Sequence, residues 1–156
     1  MSFFGLKIDE LFLDYAQNHS NKGNVVTHWV GIPLIIVGLF SMLSFLRITQ
    51  VALFGEGISL SAALILLSFG IVFYCLLDWR LGMPFSVALV MLYCLGQKIN
   101  LTSGVLLFVL GWVFQGIGHI VFEKKSPSFT KNLIHLFVGP LFIFSKCFRL
   151  ILRGFH

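Results

Sequence analysis

The chain has 156 residues, 58% of them hydrophobic and only 11% charged, with a mean hydropathy of +0.96. Soluble domains are near a quarter charged, so this composition excludes an ordinary globular domain and leaves a single membrane domain, residues 1–156. The net charge of +5 does not signal nucleic acid, because six of the eleven Lys and Arg (Lys124, Lys125, Lys131, Lys146, Arg149, Arg153) follow the last clear apolar run, where they suit anionic headgroups.

In chain order, Leu6, Leu11, Phe12 and Tyr15 recur at helical spacing, with Lys7, Asp9, Glu10 and Asp14 elsewhere on the wheel. Residues 1–24 are therefore expected to form an amphipathic helix along the interface, ending in a polar, histidine-bearing turn at 18–24. Its charges argue against a cleavable signal. Residues 25–122 hold four expected spans, at 25–46, 59–77, 83–96 and 103–122, the third short without its flanks. Residues 47–58 read as a loop with Gly55 and Gly57, and 97–102 as a tight polar turn. Residues 123–156 form a basic interfacial or re-entrant tail, with a helix kinked at Gly139-Pro140. The fold expected is an all-α membrane bundle. Cys75, Cys94 and Cys147 are widely spaced without a CxxC pair, so neither a disulfide framework nor a thiolate metal site is indicated.

Four spans put residues 1–25, the loop at 78–82 and the tail on one side. That side holds Lys7, Lys22, Arg80 and the tail cations, leaving only Arg47 and Lys98 opposite. The positive-inside rule then makes both termini cytoplasmic.

His19, His28, His119 and Glu123 all fall on that same side. One histidine at membrane depth is most simply a neutral imidazole bonded to a backbone carbonyl. Three on one side point instead to a metal, since imidazole is a common ligand for iron and zinc and ionisable groups at depth face the bundle interior. His119 and Glu123 are four apart and share a helical face. Three readings of Glu123 stay open. It completes a two-His-one-carboxylate set, or orients a liganding histidine, or ends the helix paired with Lys124 or Arg80.

Other residues have weaker claims. Asp78 reads first as a surface partner of Arg80 and second as a group behind the site. Asn24 satisfies turn backbone groups and would help position His19 over His28. His135 is an interfacial histidine within reach of the site, and His156 is terminal. No GxSxG, P-loop or GxGxxG stretch is present, so hydrolase and nucleotide chemistry have no support.

Two stretches carry a resemblance. His19-Ser-Asn-Lys-Gly-Asn24-Val-Val-Thr-His28, followed after the spans by Gly118-His119-Ile-Val-Phe-Glu123-Lys124-Lys125-Ser126-Pro127, resembles the membrane 2-hydroxy fatty acid dioxygenase family of fatty-acid α-oxidation, with fungal and bacterial members. The likeness extends to Tyr74-Cys75-Leu76-Leu77 and Asn132-Leu133. It implies an Fe(2+)-dependent reaction with O2 that cleaves a 2-hydroxy fatty acid to the acid one carbon shorter plus formate, without 2-oxoglutarate.

The family's histidines carry over onto His19, His28 and His119. The fungal pattern has a further histidine in the turn before the fourth span, where this chain reads Gly96-Gln97-Lys98-Ile99-Asn100. Glu123, Asp78 or His135 would have to supply a fourth ligand. Lys124, Lys125 and Arg80 are candidates to hold the substrate carboxylate. The compartment implied is a bacterial inner membrane or the endoplasmic reticulum, according to source. The rivals are a non-enzymatic lipid-binding scaffold or transporter subunit with structural histidines, and a di-iron lipid hydroxylase. The second is disfavoured by five histidines with no HxxxH pair.

Overall fold

The computed structural model describes residues 8–53, 56–130 and 132–153; Leu6, Lys7, Gly55, Lys131 and His156, which entered the sequence reading, lie outside the described residues. Its helices are α1 (Ile8–Ala16), α2 (Lys22–Ser44), α3 (Ala62–Leu77), α4 (Trp79–Gln97), α5 (Leu101–Ile117) and α6 (His135–Arg153). The fold is all-α, as the apolar runs imply.

One local expectation fails. The segment read as a loop after α2 is an antiparallel hairpin of β1 (Arg47–Leu53) and β2 (Glu56–Ser61). Its β-branched residues (Ile48, Thr49, Val51, Ile58) favour extended backbone, and Gly57 had drawn attention to the turn instead.

Three stretches are long and apolar enough to cross a membrane: Lys22–Ser44, Trp79–Gln97 and Leu101–Glu123. The remaining expected span, 59–77, holds α3, which has 16 residues and covers about 24 Å, short of the usual twenty residues. Large apolar side chains such as Leu106, Val87, Met91 and Ile120 are exposed along these helices, which suits lipid rather than water.

The site depends on how α2 and α5 meet. They run antiparallel, and glycines let their backbones nearly touch. A Cβ on Gly38 would lie 2.6 Å from the Gly104 carbonyl oxygen, and one on Gly111 would lie 2.7 Å from that of Gly31. This seam carries the start of α2, with His28, against the segment that follows α5, with His119. That segment, Gly118–Glu123, is a π-helical turn, ended by Lys124 in the left-handed region at φ 54°. Such widened turns recur at functional sites.

The amphipathic helix α1 packs on α6 through Leu11, Phe12 and Tyr15, with Phe12 and Tyr15 ring centroids 5.3 and 5.0 Å from Phe142. α6 is one helix with Pro140 inside it, so the carbonyl of Leu136 lacks its usual N–H partner. The core of Leu67, Tyr74, Phe85, Leu89, Val138 and Leu141 joins α3, α4 and α6.

Candidate metal centre

His19 leaves α1 on a short turn, in which its N–H donates to the Ala16 carbonyl at 3.0 Å. Its Nδ1 lies 2.8 Å from the Tyr15 carbonyl oxygen, and its ring stacks on the Tyr15 ring at 3.8 Å and 7°. His28, nearly two turns into α2, has Nδ1 2.8 Å from the Asn24 carbonyl oxygen. A carbonyl only accepts, so both Nδ1 atoms carry the proton and both Nε2 atoms turn a lone pair inward.

Those two Nε2 atoms are 3.1 Å apart. Two lone pairs that close repel unless a cation lies between them. With donor bonds of about 2.1 Å the separation subtends close to a right angle at a shared ion.

His119, on the π turn, completes a three-bladed arrangement. Ring centroids are 4.7, 4.8 and 5.0 Å apart for the pairs His19–His28, His19–His119 and His28–His119, each pair within 10° of perpendicular. One ring nitrogen from each lies within 4.8 Å of the others. All three side chains are buried, and Nδ1 of His119 is buried without a hydrogen-bond partner. Burial first, and the nearby imidazoles of His28 and His119 next, hold the His19 pKa down at about 3, against opposing contributions from the Tyr15 carbonyl and Glu123. His19 is thus neutral at any physiological pH, the form that ligates a metal. Burial also pushes the Tyr15 hydroxyl far above its ordinary value, so its ring stays uncharged. The donor set, the inward lone pairs and the orphaned His119 nitrogen fit one metal ion held by three imidazoles. Among the described residues no fourth imidazole, thiolate or carboxylate joins the cluster.

Glu123 lies outside the histidine cluster and is held by four hydrogen bonds. Its Oε1 accepts from the Ser20 N–H (3.1 Å) and hydroxyl (2.7 Å), and its Oε2 from the Asn21 N–H (3.0 Å) and the Asn24 amide (3.1 Å). The carboxylate therefore clasps the turn that carries His19. The physical reason is that both oxygens are already taken by N–H and O–H donors of residues 20–24, which draw the carboxylate onto that turn. Asn24, fully buried, holds three pieces together. Its carbonyl receives His28 and Thr27, and its amide reaches both Glu123 and the Asn18 carbonyl. Asn21 caps α2 and donates to the Phe122 carbonyl at 2.9 Å.

The remaining candidates lie elsewhere. Asp78 caps α4, accepting from the Arg80 and Leu81 N–H groups, in place of the expected ion pair with Arg80. Arg80 is exposed with its guanidinium over the Trp79 ring, and lines no part of the site. Lys124 and Lys125 open onto a polar basin with Asp14, Gln17, Asn18, Asn132 and His135, where the Lys125 ammonium donates to the Gln17 carbonyl at 2.9 Å. His135 is buried at the start of α6, edge-on to Tyr15, with Nε2 3.0 Å from Asp14 Oδ2 but not aligned for a hydrogen bond.

Sequence reasoning named none of the apolar residues that line the second half of the site. The three histidines stand at one end of an apolar cavity of about 390 Å³. Its walls come from α2 (Ile32, Ile36, Leu39), α3 (Leu66, Phe69), α5 (Phe108, Trp112, Gln115) and α6 (Leu136, Phe137), with Tyr15 beside His19. His135 borders both this cavity and the polar basin. Tyr15, one turn before His19, had a visible signal in that spacing, whereas the cavity needs helices from distant parts of the chain.

Residues 6–150 match the family described as "2-hydroxy-palmitic acid dioxygenase Mpo1-like". The chain is similar to the 2-hydroxy-palmitic acid dioxygenase MPO1 of Saccharomyces cerevisiae, with 37% identity over 134 residues, covering 83% of this chain and 72% of the yeast protein. No solved structure matches the chain.

Proposed function

The chain belongs to the 2-hydroxy-palmitic acid dioxygenase Mpo1-like family, and on that premise we propose that it is an Fe(2+)-dependent membrane dioxygenase that shortens 2-hydroxy fatty acids by one carbon. The observation that carries this reading is the placing of three converging imidazoles at the end of an apolar slot. A scaffold or transporter subunit has no use for that convergence. Iron fits better than zinc because the relative is a dioxygenase and zinc has no redox chemistry. Held by His19, His28 and His119, iron would supply the redox chemistry with O2 that the side chains lack.

The chain's own residues do the rest. Tyr15 and Asn24 lock the tautomers of His19 and His28 through their carbonyls, and Glu123 holds the His19 turn against the π turn. The walls of the cavity exclude water and take the acyl tail, at about 0.8 kcal/mol for each buried CH2. Lys124 and Lys125 line the basin on the polar side of His135, where an anionic acid arriving from water first meets positive charge. In a bacterial source the compartment is the inner membrane, and in a eukaryotic one the endoplasmic reticulum.

Atom balance decides the one-carbon product. The acid R–CH(OH)–COOH and O2 together account for R–COOH, CO2 and H2O, with the C1–C2 bond broken and C2 oxidised to a carboxyl. Formate, which the resemblance implies, balances only if two electrons and two protons enter from outside and a water leaves. We therefore assign CO2 as the product where O2 is the sole oxidant.

The test is metal analysis of anaerobically purified protein, followed by turnover of 2-hydroxypalmitate labelled with 13C at C1. One iron per chain is expected, with O2 uptake, labelled CO2 and the acid one carbon shorter, and no need for 2-oxoglutarate. A protein without iron refutes the metal site. An iron-loaded, folded protein that consumes no O2 with any 2-hydroxy acid refutes the substrate class.

A further inference from the structure

One polar side chain in the cavity wall has no part in holding the metal site together. Gln115 lies on α5 one turn before His119, so the two project from one face about 5–6 Å apart. It is 92% buried (8% exposed), lines the apolar cavity, and its Nε2 amino group finds no hydrogen-bond partner. Three other polar groups of that wall have neighbours of their own. The Tyr74 hydroxyl donates to the Phe137 carbonyl at 2.9 Å, the three histidines face one another, and His135 lies beside Asp14.

On α2 the amide meets glycine backbone, with no acceptor aligned to it. The facing residue is Gly31, where a Cβ would come within 2.9 Å of Gln115 Nε2. A buried donor left without an acceptor is destabilising, and in natural structures such groups call for a bound partner.

An acyl tail offers nothing to a carboxamide. Only the oxygens at the head of the substrate do, and the histidine cluster places that head one helical turn away. The carboxylate of the acid only accepts. The 2-hydroxyl both donates and accepts, as does a carboxamide, so the two are complementary in either orientation.

Resting on the function proposed above, we propose that Gln115 hydrogen-bonds the 2-hydroxyl of the substrate and is the specificity-determining residue that separates 2-hydroxy acids from unsubstituted acids of equal length. A site built to pair a hydroxyl rejects the analogue that lacks it, because its own polar group is then left bare.

The test is anaerobic titration of the iron-loaded protein with 2-hydroxypalmitate and with palmitate, where no turnover occurs. Wild type is expected to bind the hydroxy acid more tightly. Gln115→Leu and Gln115→Met are both expected to retain iron and to bind palmitate within about twofold of wild type. Both should lose affinity for 2-hydroxypalmitate by at least about tenfold, the loss expected of one buried hydrogen bond. If either variant keeps the wild-type preference, or if both acids weaken in parallel, Gln115 serves packing and the proposal is overturned. If wild type itself shows no preference, the 2-hydroxy acid reading fails first and this proposal with it.

Discussion

Replacing Glu123 with glutamine separates a residue that holds a loop from one that holds a metal. The carboxylate accepts four hydrogen bonds, two on each oxygen, from Ser20, Asn21 and Asn24. Glutamine keeps one acceptor oxygen, and its amino group must face either the Ser20 pair or the Asn21 and Asn24 pair. The Ser20 hydroxyl or the Asn24 amide can turn to accept from it, but one backbone N–H is stranded. A stranded buried N–H costs roughly 1–3 kcal/mol, and loss of charge from the surviving bonds about 1 kcal/mol more, for roughly 2–4 kcal/mol in total. At about 2–4 °C per kcal/mol for a chain of this length, the melting temperature should fall by roughly 5–15 °C. Iron affinity should fall about 10- to 100-fold, because His19 rides on the released turn. The decisive assay is thermal unfolding in detergent with a chelator, beside an iron titration of the same preparations. If iron-free Glu123→Gln melts together with iron-free wild type while iron affinity is lost, Glu123 acts on the metal and the loop-holding account is refuted.

Four further outcomes are expected. His19→Ala, His28→Ala and His119→Ala should each abolish stoichiometric iron, whereas His135→Ala should retain it; full iron content in His19→Ala would remove that residue from the ligand set. Leu39→Trp fills the cavity about 16 Å along α2 from His28 at 1.5 Å per residue, so it should shift turnover towards shorter 2-hydroxy acids, and an unchanged chain-length profile would place the tail elsewhere. Stability of the iron-free protein should respond to pH through His19, whose folded pKa of about 3 lies below the unfolded 6.5. The unfolded chain binds the proton first, so stability is fully present above pH 6.5 and is lost as the pH falls towards 3; His19→Ala should flatten that part of a melting-temperature profile. Reporter fusions should find both termini in the cytoplasm, since only Arg47 and Lys98 of the eleven cations then lie outside, and an external C-terminus would mean that α6 crosses the membrane.

Glu123 and Asp78 show where reading the chain in one dimension stops. Both are carboxylates at helix ends, for which the sequence offers partners only by spacing or by membrane side. Asp78 instead caps α4, a role that its place before Trp79 permitted. Glu123 bonds residues about a hundred positions earlier, through a π turn that no side-chain pattern announces. The hairpin at 47–61 was overlooked because its glycines suggest a loop, while the pairing of Val51 with Ile58 is a property of two strands together.

What the sequence determined by itself is the membrane character and the three ligand candidates. Long uncharged runs must be helical, since lipid satisfies no backbone hydrogen bond. On the expected count of four spans, the histidines at their ends share a side. The chain also carries the small-residue positions of α2 and α5, although their pairing is visible only once the helices pack. Tertiary structure alone decided the clasp of Glu123 on the His19 turn, the exclusion of Arg80 from the site, and the apolar slot with Gln115 in its wall. The reason is that each of these is a distance between residues of different helices. Spacing along a chain sets which face of a helix a residue occupies, and only packing sets what that face meets.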